Sequence, residues 1–472
     1  MAQFLNSTWR LTLSRKLAVW LLGFLGVLVI ISRFIPQHYG GNLSVYLSWK
    51  ASHPFWALLF EKIGLTNIYT SWLFIFLCSA LFINTTACTL QRTYNLLSAR
   101  KKECSIGLDS LKASKTYFKI DLIDAEPQAA EDKITALLKK RLFRVKRLES
   151  TAGTALIAIR GRFAEWFSPL FHFALILIFL GGAITGLTRF SGILELTESQ
   201  IAIEDSANYI KIFEKGPLFN NAHRSFEIKL VRFTPVYLST GEPKNFYSTI
   251  AFSNGWERTD TDIWVSKPGS YQGVLIYQGQ INGISALLSL SNTKGEPISS
   301  SFFLFDKPKE IGKPLVAKHD ISDAGVSFEG RLLPNPAWRK EGSGAAWKIR
   351  NPALDLKILK DKRTLYHGRL LLGQTAEFEG YRLTFEDAKY WSSYNIVIDK
   401  GRPIIFAGFW LGLISLGLLS LLNEKRISII IQTGDKPTIH VAGNSNKYKA
   451  SFREELVSFA ADLKSALGVV KE

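Results

Sequence analysis

The nitrogen and sulfur side chains of this chain that could ligate a metal such as haem iron are few: seven histidines, three cysteines and one methionine, Met1. One histidine stands apart. His172 lies in WFSPLFHFALILIFLGGAITGLT, residues 166–188, a run of 23 residues without Asp, Glu, Lys or Arg. Arg160, Arg162 and Glu165 precede the run and Arg189 follows it. About 20 apolar residues cross a bilayer as a helix, so this run is long enough to span. An ionisable side chain at membrane depth is costly to keep, which makes it a functional hypothesis. Two readings compete for His172. It is either a neutral imidazole hydrogen-bonded to a neighbouring helix, or an axial ligand for a metal or haem, or a proton relay. Because Met1 is the only methionine, iron bound by this chain in the His or Met mode must take a histidine.

The other reactive residues carry weaker signals. Cys78 and Cys88 lie in another apolar segment and Cys104 just beyond it, with no CxxC or CxxCH anywhere. No cysteine follows Cys104, so the large remainder has neither disulfide nor thiol chemistry of its own. His38 and His53 fall in an aromatic loop. His223, His319 and His367 are isolated in sequence and read as surface or packing residues. That later region holds no catalytic triad signature, phosphate loop or metal-spaced histidine cluster.

The elements that must position His172 follow from the hydropathy pattern. Residues 1–16 are short and basic at their end (Arg10, Arg15, Lys16). A first span covers 17–35; its apolar run is long and no A-x-A site follows, which argues against a cleaved signal. Residues 36–66 form a loop with a short interfacial helix expected around Pro54–Phe60, where Trp and Tyr favour the membrane boundary. A second span covers 67–91. Its Asn84, Thr85, Thr86 and Cys88 suit interhelical hydrogen bonds. Residues 92–165 read as a small α+β module: strand Tyr117–Leu122, helix Ala129–Arg141, strands Phe143–Arg147 and Ala155–Arg160. The third span is 166–188, whose Gly182 and Gly186 have the spacing that lets another helix approach closely.

Residues 189–402 show short segments of period-two alternation punctuated by Gly, Pro and Asn, which argues for an all-β sandwich or related barrel. A fourth span, 403–422, carries Gly408-x-x-x-Gly412. Residues 423–472 form a polar tail with a strand pair (Ile427–Gln432, Thr438–Ala442) and an amphipathic helix, Phe452–Leu467. The fold class is therefore a four-span α-helical membrane protein with a large extracytoplasmic all-β domain and a small cytoplasmic α+β module. Lys and Arg cluster in 92–165, which assigns that loop and both termini to the cytoplasm. The net charge of +18 is a topology signal of this kind, not a nucleic-acid footprint, and 47% hydrophobic content excludes a disordered chain.

Several stretches, in this order, resemble the ResB (CcsB) family of system II c-type cytochrome maturation. They are SRKLAVWLL with FIPQ at the first span, HPFW with GLTNIYTSWLFIFLCSALFINTTACTLQR into the second, and RGRFAEWFSPLFHFALILIFLGGAITG at the third. KPGSYQGVLIYQG in the outer domain and DKGRPIIFAGFWLGLISLGLLSLL at the fourth span complete the set. Ser32-Arg33-Phe34 stands where Gly-Thr usually precedes Ile-Pro-Gln, and Phe167 follows Trp166 in place of Gly. The resemblance implies a subunit, not catalytic alone, of a cytochrome c synthase complex with a CcsA/ResC-type membrane partner. That pair accepts haem b transiently, passes it outward and presents it to the CxxCH of apocytochrome c, with a thioredoxin-like thiol reductant acting indirectly. His172 is the implied transmembrane ligand of the haem iron. The chain has no tryptophan-rich WWD-type stretch, in keeping with that element belonging to the partner. A bacterial cytoplasmic membrane is expected over a plastid thylakoid, membrane lipid is a partner and nucleic acid is not. The competing reading is a membrane-anchored scaffold or sensor whose β domain binds a protein without handling haem. A transporter fits less well, since no inverted repeat is visible.

Overall fold

The computed structural model describes all residues except 1–11, 38–42, 102–106, 122–126, 151–152, 309, 362, 434–436 and 469–472, so His38 and Cys104 lie outside the described residues. Helix α1 (Arg15–Phe34) starts at Ser14, whose Oγ accepts from Leu17 N at 3.4 Å. It stops before Pro36, because a residue preceding proline is pushed from helical to extended backbone, and Ile35 has φ −103° and ψ 125°. The Ile-Pro-Gln that follows has a mechanical use. Gln37 Nε2 donates to Ile35 O at 2.9 Å and Leu65 O at 3.0 Å, and its Oε1 accepts from Ile68 N at 3.3 Å. One amide thus ties the end of the first span to the approach of the second.

Two helices, not the single one expected, occupy the loop: α2 (Leu43–Ser52) and α3 (Pro54–Lys62). Pro54 forces the break between them at His53 and then serves as the first helical residue of α3. The second span also differs from the expected 67–91. Leu65–Thr70 is a 3-10 segment in which Asn67 leaves helical backbone (φ −139°, ψ 52°). Helix α4 (Trp72–Lys101) begins after Ser71, whose Oγ caps Phe74 N at 3.2 Å. It runs on past residue 91, because 92–101 is polar but contains neither Gly nor Pro and is rich in helix formers. Polarity ends the apolar stretch there without ending the helix. Leu21 of α1 and Leu77 and Leu81 of α4 are buried against each other, with Phe179 beside them.

Beyond α4 come α5 (Leu108–Lys112), β1 (Phe118–Asp121), α6 (Pro127–Lys140), β2 (Arg144–Ser150) and β3 (Gly153–Arg160). Then α7 (Phe167–Thr188) carries His172. The chain divides into two compact units, Met1–Gly182 with Pro403–Glu472, and Ala183–Arg402.

The second unit is built on one long antiparallel sheet. Its strands are β4 (Phe190–Thr197), β6 (Lys211–Lys215), β10 (Gly269–Tyr271), β11 (Val274–Asn292), β12 (Pro297–Asp306), β17 (Thr375–Phe378) and β18 (Tyr381–Ile398). Two four-stranded sheets pack on it: β5 (Ile201–Ile203), β7 (Glu227–Tyr237), β8 (Pro243–Ser253), β9 (Arg258–Trp264); and β13 (Leu315–Ile321), β14 (Val326–Leu333), β15 (Ala353–Lys360), β16 (Arg363–Leu371). The first covers Phe190, Ile276, Tyr394 and Ile396; the second covers Ile284, Leu288, Leu290 and Phe385. The expected all-β sandwich or related barrel is thus two sandwiches sharing β11 and β18. Between the two cores the β11–β18 ladder skips from Gln278 to Asn282, a bulge that lets the long strands bend.

The fourth apolar helix, α8 (Arg402–Leu421), leads into β19 (Lys425–Gln432), β20 (Thr438–Ser445) and α9 (Lys449–Ala466). These last elements are not an appended tail. The sheet order is β1-β20-β19-β3-β2, so the C-terminal pair forms its middle and completes the module of residues 92–165. Phe452, Leu456, Phe459 and Leu463 make one stripe of α9 and meet Ile134 and Leu138 of α6 over Leu156, Ile429 and Val441. Local pattern locates each strand, but the pairing of Leu156 with Ile429 joins residues too distant for local pattern to connect.

Of the two Gly-x-x-x-Gly pairs, the one in the fourth apolar helix makes a close contact within this chain. A Cβ built on Gly408 of α8 would lie 2.9 Å from Ala174 O and from Ile178 Cγ1 of α7, so these helices touch backbone to backbone. A Cβ built on Gly182 or Gly186 meets nothing within 4 Å, leaving that face open.

Candidate functional site

His172 is the sixth residue of α7 and is partly buried. Its Nδ1 lies 2.8 Å from Ser168 O one turn earlier. A carbonyl oxygen only accepts, so Nδ1 is the donor, and an imidazole with its one proton there has its lone pair on Nε2. This is the second-partner arrangement that fixes the tautomer of metal-binding histidines. The hydrogen bond is to its own helix, not to the neighbouring helix of the plainer reading. Phe171 meets the ring edge-on at 5.7 Å between centroids.

His172 lines a cavity of about 520 Å³ formed by α1, α4 and α7. One end is apolar, with Leu22, Leu81, Leu175 and Phe179; the other holds Arg15, Asn84, Cys88, Gln91, Arg92 and Asn95. Asn84 also fastens α4 to the start of α1, donating to Thr12 O at 2.6 Å and Ser14 O at 3.3 Å. The volume falls within the usual range for small-molecule sites, and walls that are mostly apolar with a few placed polar groups are their usual composition. The arrangement can ligate an iron or other metal ion through one neutral imidazole and enclose a flat apolar body. No group of three or more His, Cys, Asp or Glu able to hold a bare metal ion occurs among the described residues.

The sequence does carry a signal for this cavity. Asn84, Cys88, Gln91, Arg92 and Asn95 recur at helical spacing, so α4 has a polar stripe continuing down from Leu81. The stripe runs beyond the end that hydropathy sets for the span, which divides it between two segments.

The remaining histidines are placed otherwise. His53 is exposed, stacks on Trp49 at 5.9 Å and bonds Ser52 Oγ at 2.9 Å. His319 Nε2 donates to Leu304 O at 2.8 Å, and His367 is exposed on β16. His440 is buried, bonded through Nδ1 to the Tyr117 hydroxyl at 2.8 Å and through Nε2 to Thr438 Oγ1 at 3.0 Å. His223 packs as expected but has a partner that sequence distance hides. Its Nδ1 lies 2.6 Å from Oε1 of Glu204, a carboxylate with no exposed surface that also accepts from Tyr209 Oη at 2.7 Å and from Arg224 N. Burial and Glu204 push the Tyr209 phenol far above its ordinary range. In a second cavity, of about 730 Å³ in the β unit, burial pushes the Lys307 amine down to about 8. That amine sits 4.2 Å from the Tyr237 ring centroid.

The model of the ResB-like family matches residues 15–457. The chain is similar to the cytochrome c biogenesis protein CcsB of Microcystis aeruginosa, 26% identical over 464 residues that cover 95% of this chain and 93% of the relative. It is 25% identical over 459 residues to the protein of the same name from Thermosynechococcus vestitus, covering 95% and 94%. The chloroplastic cytochrome c biogenesis protein CCS1 of Oryza sativa is 25% identical over 402 residues, 83% of this chain and 64% of the relative.

Proposed function

The chain belongs to the ResB-like family, and we propose that it carries haem b across a membrane for covalent attachment to apocytochrome c, with His172 as ligand to the iron. A role in c-type cytochrome biogenesis follows from the relatives that match nearly its whole length. The observation that carries the finer reading is the His172 tautomer: Nδ1 is committed to Ser168 O, and the ring that keeps the free Nε2 lone pair lines the apolar-walled cavity. Haem is the cargo, and its iron supplies the bond to an imidazole. The chain's residues orient the cargo and exclude water around it.

In this reading the α+β domain and both termini face the cytoplasm of a bacterial cell and the β unit lies outside. A CcsA/ResC-type partner shares the haem. The outer β unit holds the partner or the apocytochrome, whose CxxCH thiols, kept reduced by a thioredoxin-like protein, add to the vinyl groups. The test is the absorption spectrum of the chain purified with its co-expressed partner, in wild-type and His172→Ala forms. A Soret band weakened in the variant and partly restored by imidazole is expected. An equal band in both forms would move the ligand to the partner and leave this chain a membrane-anchored scaffold.

A further inference from the structure

Arg15 and Arg92 line the same cavity as His172, and the lining contains no Asp or Glu. Some guanidinium groups elsewhere are matched, such as Arg141 with Asp462 at 2.6 Å, Arg160 with Glu455 at 2.6 Å and Arg369 with Asp355 at 2.6 Å, and others stand singly on the surface. Neither Arg15 nor Arg92 forms an ion pair with a described residue. Lys16, which adjoins Arg15 and serves equally well as a basic flank, is not part of the lining. Two unmatched cations therefore open onto one chamber, and a topology signal alone gives no reason for them to converge there.

Their position along the chamber is also set. Arg15 is the first residue of α1, and Leu22, at the apolar end, lies about 10 Å further along the helix. Phe179, at that same end, is likewise about 10 Å beyond His172 on α7. The chamber thus has two cations and an imidazole with a free lone pair toward one end and apolar side chains at the other. We infer that Arg15 and Arg92 receive the two carboxylates of a planar iron chelate, the propionates of the haem, and so fix which edge of it faces the apolar end. This inference rests on the proposed function and adds an orientation to it.

The chemistry matches in number and kind. Two carboxylates on one edge of the ring cannot enter a low-dielectric space unpaired, since burying a charge without a partner is costly. A guanidinium stays charged at any working pH and presents a planar fork that fits a carboxylate in two parallel bonds. With the propionates held at the cationic end, the vinyl-bearing edge leads into the chamber. That edge is the one that must later meet thiols.

The experiment titrates the full-length chain in lipid nanodiscs with haemin and with haemin dimethyl ester, following the Soret band. A charge-assisted bond contributes about tenfold per arginine. The wild type is expected to prefer haemin over the ester by roughly 100-fold, and Arg15→Gln and Arg92→Gln each to lose about tenfold of that preference. The double variant binds both alike with an unchanged Soret position, and Arg15→Lys/Arg92→Lys recovers part of the preference. A double variant that keeps the wild-type preference, or a wild type that has none, overturns the inference. His172→Ala in the same titration separates the two readings. Loss of the ligand-bound spectrum for both compounds, with the haemin preference intact, supports both. An unchanged spectrum with an arginine-dependent preference removes only the histidine ligand. No Soret band with either compound in the wild type removes both.

Discussion

Replacing Glu204 by leucine should unfold or loosen the β unit far more than a typical surface change. The carboxylate has no exposed surface, and three donors converge on it: Tyr209 Oη at 2.7 Å, His223 Nδ1 at 2.6 Å and Arg224 N. Leucine offers no acceptor, and water has no open route to a side chain this deeply buried. A buried donor left without a partner costs about 1–3 kcal/mol, so three such donors at about 1–2 each give about 3–6 kcal/mol. That is a large fraction of the roughly 5–15 kcal/mol typical of a whole domain. The loss should reach the end of the third apolar helix, because Phe190, the first residue of β4, packs edge-on against His223 at 4.9 Å. Denaturant titration of the full-length protein in detergent, followed by emission of the buried Trp347 and Trp391, measures the change. Glu204→Gln, which keeps one acceptor oxygen, should fall between the two. Adding Tyr209→Phe and His223→Phe to Glu204→Leu should recover most of the loss, since removing both partners of a buried bond is far cheaper than removing one. A shift below about 1 kcal/mol for Glu204→Leu, or no recovery in the triple variant, would refute the idea that this carboxylate is held for its three donors.

Two further outcomes follow from the first unit. Gly408→Ala places a Cβ 2.9 Å from Ala174 O and should cost about 1–3 kcal/mol by overpacking, whereas Gly412→Ala, with its Cβ 3.5 Å from the Ala174 Cβ, should be tolerated. Resistance of the full chain to SDS-induced unfolding distinguishes them, and equal behaviour of the two variants would count against the close α7–α8 approach. His440 is held below its ordinary value of 6.5 by burial, with Lys112 and Lys119 adding to it. Its unfolded form therefore takes up a proton first as pH falls, so the α+β domain is fully stable above about pH 6.5 and loses stability below it. Thermal unfolding of wild type and His440→Gln between about pH 7.5 and 5.5, a window that brackets the ordinary histidine value, should show a drop in the wild type that is flatter in the variant. Parallel curves would contradict this.

What can be read along the chain, and what cannot, divides by the range of the interaction. The apolar runs, the strands at 144–160 and 425–445, and the stripe Phe452, Leu456, Phe459 are one-dimensional patterns, and each leaves its period in the sequence. Hydropathy misplaces the end of α4 because a limit of apolar character is not a limit of the helix, which stops only at Gly, Pro or a cap. The misplacement matters, since it separates Arg92 and Asn95 from Asn84 and Cys88 and hides the polar stripe of the cavity. Pairings such as Thr116–Gly443 or His223–Glu204 leave no local period at all, because a single hydrogen bond between distant residues constrains neither neighbour. His172 is visible for the opposite reason. It breaks a pattern so uniform that one imidazole stands out, and the cost of keeping it there can be judged from the run of apolar residues around it. The Ser168 bond that selects its tautomer and the two unmatched arginines that share its chamber depend on three helices meeting, which no single stretch encodes. A residue that violates its surroundings is thus legible in one dimension, while the partners that make the violation useful emerge only from the packing of α1, α4 and α7 around it.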